Sequence, residues 1–159
     1  MNYPLVELDL RALQAVTPAD IAASDDAAPV REYHYGRAGL CDWQFKRVTA
    51  YLAARIDSTV RVSDLAAVAR MSPGHFARAF TIRLGMSPYT FVLKTRFERA
   101  RRMLLTSDKP LSEIALHCGL ADQAHLSRVF RRFEGASPSE WRRQRRAMLH
   151  AIVHTPILA

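Results

Sequence analysis

The sequence predicts an all-α protein built from two helix-turn-helix units joined by a long central helix. Two observations lead there. Apolar residues recur at helical spacing between serine, aspartate or proline starts and glycine stops. The chain also repeats itself. Ile114 answers Leu65 at a period of 114 − 65 = 49, and from the turn onward the period is 50. His125 then answers His75, Arg128 answers Arg78, Phe130 answers Phe80, Gly135 answers Gly85, and Ser137-Pro138 answers Ser87-Pro88. A period near fifty that keeps caps, core positions and one arginine marks two structural copies.

Residues 1–39 read as an arm or lead-in. Leu5, Val6, Leu8, Leu10 and Leu13 suit a short strand or helix, and Asp20 to Pro29 is a linker of small and acidic residues. The first clear helix covers about Leu40 to Ile56, with Leu40, Trp43, Val48, Tyr51, Leu52 and Ile56 inward and Lys46, Arg47 and Arg55 on the wet side. Ser63 is a fitting N-cap for a short helix of Leu65, Ala66, Val68 and Ala69, whose alanines allow a steep, close crossing. After the Arg70-Met71 turn, Ser72 caps the next helix and Pro73 takes its first position, where a missing N–H costs nothing. Phe76, Ala79 and Phe80 mark its buried face, and Gly85 its end.

Ser87-Pro88 opens the central helix, which runs to about Leu105 and spans roughly 27 Å at ~1.5 Å per residue. Phe91, Val92, Phe97, Ala100, Met103 and Leu104 serve packing, while Lys94, Arg96, Arg99, Arg101 and Arg102 make the remainder basic. In the second unit Ser112 is the expected cap for Ile114, Ala115 and Leu116, Gly119 the turn residue, and Asp122 the cap of the second helix. Leu126, Val129, Phe130 and Phe133 form that helix's inner face. Ser137-Pro138-Ser139-Glu140 is a capping box with proline at the first helical position, and Trp141 closes the core. Residues 147–159 are an apolar tail.

Charge narrows the class of partner. The formal charge is +8 and the sequence pI about 10.2. Residues 1–39 hold three arginines and six acids, net −3, which leaves 20 basic and nine acidic residues, net +11, in 40–159. A basic body favours an anionic partner, nucleic acid being the commonest. Cys41 and Cys118 make neither a metal spacing nor a disulfide scaffold, and fit reduced thiols in a cytoplasm. The N-terminus lacks the pattern of a signal peptide, and no apolar run reaches the ~18 residues of a membrane helix. His150 and His154 stand at i, i+4 without a third ligand, and no catalytic constellation or cofactor motif is present. Neither an enzyme nor a metal or cofactor site is expected.

The words RFERARRMLL, LSEIALHCGLADQAHLSRVFRRF and GASPSEW make the stretch from Leu40 to Arg146 resemble the DNA-binding domain of AraC/XylS-family transcriptional regulators. The resemblance implies a seven-helix domain over 40–146, with helix-turn-helix units at about 62–86 and 111–136. It places two recognition helices in successive major-groove segments of double-stranded DNA, about one turn or ~34 Å apart. It also implies an activator that contacts RNA polymerase beside its site. The family pattern carries base reading onto Gly74, His75, Ala77 and Arg78 in the first unit, and onto Gln123, Ala124, Ser127 and Arg128 in the second. Arginine can grip guanine and glutamine can pair with adenine. Lys94, Arg96, Arg131, Arg132 and Arg142 are the phosphate candidates.

The chain departs from that pattern in its first unit. Arg70 stands where a turn glycine is common, so a left-handed backbone there carries about 1–2 kcal/mol of strain. Gly74 and Ala77 replace longer polar side chains, so the second unit is expected to supply most of the discrimination. Structural alternatives stand beside these roles: His75 and His125 fit half-buried packing, Gln123 a helix end, and the Arg142–Arg146 cluster a solvated helix terminus. Two other functions compete with the regulator: an interaction module or DNA-binding fragment of a larger sensor protein, and a weakly specific architectural binder. Residues 1–39 are too few for a sizeable ligand-binding domain, so no small-molecule effector is expected within the chain.

Overall fold

Helical spacing and turn chemistry produce seven α-helices and no strand among residues 39–153, the part described by the computed structural model. In order they are α1 (Asp42–Ala54), α2 (Val62–Val68), α3 (Pro73–Leu84), α4 (Pro88–Thr106), α5 (Leu111–His117), α6 (Gln123–Glu134) and α7 (Pro138–Val153). The expected element at Leu5–Leu13, the Asp20–Pro29 linker and His154 lie outside the described residues, as do the side chains from 149 onward. Two compact units divide the described chain: residues 39–55 with 60–88, and residues 56–59 with 89–153.

In the first unit α1 packs on α2 and α2 on α3. Leu40, Val48, Leu52, Leu65, Ala66, Ala69, Phe76, Ala79 and Phe80 are buried, and the rings of Phe76 and Phe80 lie 5.4 Å apart. Trp43, expected inward, is 42% exposed, and Gln44 takes the inward place beside it. The exchange follows from hydrogen bonding. Gln44 Oε1 accepts from the Cys41 N–H at 3.0 Å while its Nε2 donates to the Ala69 carbonyl at 2.9 Å, closing the start of α1 and the end of α2 together. Arg83, late in α3, lies 4.8 Å over the Phe45 ring and donates to the Leu40 carbonyl and the Asp42 carboxylate, both at 2.7 Å. That bond holds the Asp42 carboxyl below the ordinary carboxylate range.

The second unit is built around Leu93, Phe97, Ala100 and Leu104 of α4, Ile114, Ala115, Cys118 and Leu120, the inner face of α6, and Trp141 of α7. Phe97 meets Phe130 edge-on at 4.9 Å, and Phe130 meets Trp141 edge-on at 5.8 Å. Removing such a ring from a closed core costs about 3–5 kcal/mol. Cys118 is a core thiol: burial pushes it up to about 11, and its Sγ lies 3.8 Å from Met103 Sδ. Arg146 of α7 donates to the Ser107 carbonyl at 2.7 Å and to the Asp108 carboxylate, tying α7 to the α4–α5 connection.

Two expected caps each move by two residues. Ser63 lies inside α2, whose N-cap is Arg61, because Asp64 at the third position accepts the Arg61 N–H at 3.0 Å. Ser112 lies inside α5, which starts from Pro110, whose carbonyl accepts the Ile114 N–H at 3.0 Å. Ser72 and Asp122 do occupy N-cap positions, and Asp122 accepts the His125 N–H at 2.6 Å. Ser137 accepts the Glu140 N–H at 3.3 Å.

The two turns use one hydrogen-bond pattern. Arg70 N–H and Met71 N–H donate to Ala67 and Ala66 at 2.9 Å each, and Gly119 N–H and Leu120 N–H to Leu116 and Ala115 at 3.0 and 2.9 Å. Both turns therefore need a left-handed residue, with φ +56° at Arg70 and +70° at Gly119. Glycine is enforced twice at 119, since an added Cβ would fall 2.2 Å from the Ile56 carbonyl oxygen. Arg70 is exposed and bears only the conformational cost. Arg70→Gly is expected to stabilise the protein by up to about 1–2 kcal/mol in urea unfolding. Equal or lower stability would show that the Arg70 side chain repays its strain.

Candidate nucleic-acid interface

The inner contacts of α6 decide what it shows outside. Successive residues turn by about 100°, so burial of Leu126, Val129 and Phe130 sends Arg131, Ala124 and Arg128 to the opposite side, with Ser127 and Arg132 at the edges of that arc, while Gln123 is exposed because it starts the helix. Gln123, Ala124, Arg128, Arg131 and Arg132 are exposed and Ser127 is half-buried. Together these residues offer one amide, one hydroxyl and three guanidinium groups. His125, beside them, is half-buried and its Nδ1 accepts the Ala121 N–H at 3.3 Å, a local packing role.

On α3, burial of Phe76, Ala79 and Phe80 turns Ala77, Thr81, Gly74, Arg78 and Ile82 outward. His75 is exposed, with its Nδ1 3.1 Å from Ser72 Oγ. Gly74 and Arg78 are exposed and Ala77 is half-buried. Placing the arcs in register at a period of 50 sets Pro73 against Gln123, Thr81 against Arg131 and Ile82 against Arg132. The α3 arc thus has one basic side chain where α6 has three. Thr81 and Ile82 were not among the expected contact residues, although the repeat would have exposed them had it been carried two positions past Phe80.

The phosphate candidates fall into two groups. Arg131 and Arg132 are exposed, and Lys94 is half-buried. Arg96 is half-buried, and its guanidinium donates to the Ile56 carbonyl at 3.2 Å and the Ser58 carbonyl at 2.6 Å. Burial lowers its pKa, so the site favours its charge less than water does. Arg142 donates to the Lys109 carbonyl at 3.0 Å and is likewise lowered by burial. These two side chains serve the second unit's own fold. Arg101 lies 3.3 Å from Glu134 and 3.7 Å from Glu98.

Among the described residues no helix is long and apolar enough to cross a membrane, and no three His, Cys, Asp or Glu side chains gather as metal ligands.

Comparison with known proteins agrees with this geometry. A family profile described as a helix-turn-helix domain matches residues 65–144. A probable transcriptional regulator, LumQ of Photobacterium leiognathi, is 31% identical over 91 residues, which is 57% of this chain and 37% of that protein. An uncharacterised helix-turn-helix-type transcriptional regulator of Haemophilus influenzae is 37% identical over 82 residues, 52% of this chain and 28% of its own length. The chain therefore spans well under half the length of these relatives. Among solved structures, the DNA-binding domain of the global transcriptional factor AdpA in complex with a target DNA has a TM-score of 0.63 at 33% identity, covering 68% of this chain and 96% of that one. An AraC-type regulator from Chromobacterium violaceum has a TM-score of 0.60 at 28% identity, covering 64% and 91%. Two helix-turn-helix units, an all-α fold and these matches together establish that the chain belongs to the AraC-type helix-turn-helix family of DNA-binding transcriptional regulators.

Proposed function

We propose that the protein is a sequence-specific regulator whose α3 and α6 each enter a major-groove segment of one duplex, with α6 making most of the discrimination. The observation that carries this is the outer side of α6, which presents Arg128 and Arg131 with Ser127 and Arg132 at the edges and Gln123 exposed at the helix start. A groove about 12 Å wide admits one helix, and its base edges display distinct donor and acceptor patterns. Arg128 suits the two acceptors of guanine and Gln123 the acceptor and donor of adenine. The DNA-binding body comprises 40–146, with 1–39 as an arm. Activation through RNA polymerase beside the site is the family's prevalent mode, and a cytoplasmic location goes with it.

Phosphate contacts come from Arg131, Arg132 and Lys94, which set affinity and register without choosing sequence. Arg96 and Arg142 act instead as internal struts. Arg131→Ala should reduce the slope of log affinity against log salt by about 0.9. Arg96→Ala should leave that slope unchanged and lower the melting temperature, and a reduced slope for Arg96→Ala would return it to the phosphate set.

Footprinting on genomic fragments at physiological salt should give a protected tract of about 20 bp, two turns of duplex, at few sites. Arg128→Ala should cost about 1–3 kcal/mol at the preferred site and little at random sequence. Uniform coverage by the native protein would support an architectural binder, and an unchanged preference in Arg128→Ala would sink the role given to α6.

A further inference from the structure

We propose that the first helix-turn-helix reads its tract through thymine C5-methyl groups by close apolar approach, where the second reads by hydrogen bonds. This rests on the DNA-reading role proposed above and names the base chemistry that α3 selects.

Gly74 is the starting observation. It lies in the first turn of α3, is not among the residues with positive φ, and a Cβ added to it would meet no heavy atom within 4 Å. Nothing in the unit's own structure calls for glycine there, and glycine weakens a helix. An absent side chain at an outward position is useful to a surface that must come close from outside.

The residues around Gly74 share one chemistry. Ala77 offers a methyl group. Thr81 donates its hydroxyl to the Ala77 carbonyl at 2.8 Å, so its donor is used within the helix and what it still offers a base edge is an acceptor oxygen and a γ-methyl. Ile82 is 60% exposed. At about 100° per residue, Ala77, Thr81, Gly74, Arg78 and Ile82 follow one another around the arc opposite Phe76, Ala79 and Phe80. Single exposed apolar residues usually mean nothing. These share an arc with Arg78, on the helix that repeats α6, at positions where α6 carries Ser127, Arg131 and Arg132. Thymine's C5-methyl is the apolar group that base edges present in the major groove, and alanine and the threonine methyl are among the side chains that contact it. Arg78 supplies the one charge-assisted anchor on the arc, and Gly74 lets the helix backbone approach the methyl row.

The test uses the full chain and a duplex recovered from a random pool. Arg78→Ala and Arg128→Ala first identify which tract depends on which helix. Deoxyuridine then replaces thymidine in each tract in turn, removing only the methyl. Affinity should fall about fourfold per contacted thymine in the Arg78-dependent tract, the factor expected for one buried methyl-sized group, and stay unchanged in the other. Thr81→Ser, which keeps the hydroxyl, should shrink that penalty. Gly74→Ala should melt no lower than the native protein yet bind the duplex several-fold more weakly. Silent uracils in the Arg78-dependent tract, or native binding by Gly74→Ala, would overturn the methyl reading alone. Recovery of no preferred duplex would overturn the DNA-reading role, and this inference with it.

Discussion

Phe130 sets the rotation of α6. Its ring is held edge-on to Phe97 of α4 on one side and to Trp141 of α7 on the other, at 4.9 and 5.8 Å. A helix turns its outer face by about 100° for each residue its inner register shifts. A core that locks Phe130 therefore also decides that Ala124, Arg128 and Arg131 face outward, with Ser127 and Arg132 at the edges of that arc. The same logic holds in the first unit, where buried Phe76 and Phe80 set the rotation of α3. The chemistry that α3 and α6 turn outward is thus a consequence of aromatic packing, and changes inside the core should alter what each helix presents.

Arginine is abundant enough here that composition alone cannot assign it. Partners decide. Arg83 is committed to Leu40 and Asp42, Arg96 to Ile56 and Ser58, and Arg142 and Arg146 to the α4–α5 connection. Those contacts are charge-assisted bonds that hold irregular backbone, where no helix partner exists for the carbonyls. Arg96 also explains why residues 56–59 belong with the second unit: its guanidinium and the bare Cα of Gly119 receive that segment together. Exposed arginines occur along several helices, and Arg128, Arg131 and Arg132 are the ones gathered on α6, with Arg78 on α3.

Much of this was readable from residue spacing because helices announce their ends locally. Pro73, Pro88 and Pro138 each begin a helix, Asp122 caps one, and the inner residues of α3 and α6 are those the period marks. The left-handed turn at Arg70 was legible too, since Arg70 stands where the resembled family commonly has a turn glycine. What escaped depends on contacts between distant residues. Gln44 displaced Trp43 from the interior because a carbonyl 25 positions away needed a donor, and Arg96 was drawn to a segment about 40 positions away. No local pattern encodes either. The thin chemistry of the α3 arc lay between: its residues were visible, but the use of Thr81's hydroxyl inside the helix was not.

A crystal structure of the chain on its selected duplex tests the central claim most directly, that the arc set by Phe130 is the reading surface. The expected result has Arg128 and Gln123 within hydrogen-bond distance of base edges, Arg131 and Arg132 at phosphates, and Arg96 still on the Ile56 and Ser58 carbonyls. A complex with the α6 arc in solvent, or with Arg96 swung onto a phosphate and residues 56–59 released, would contradict it.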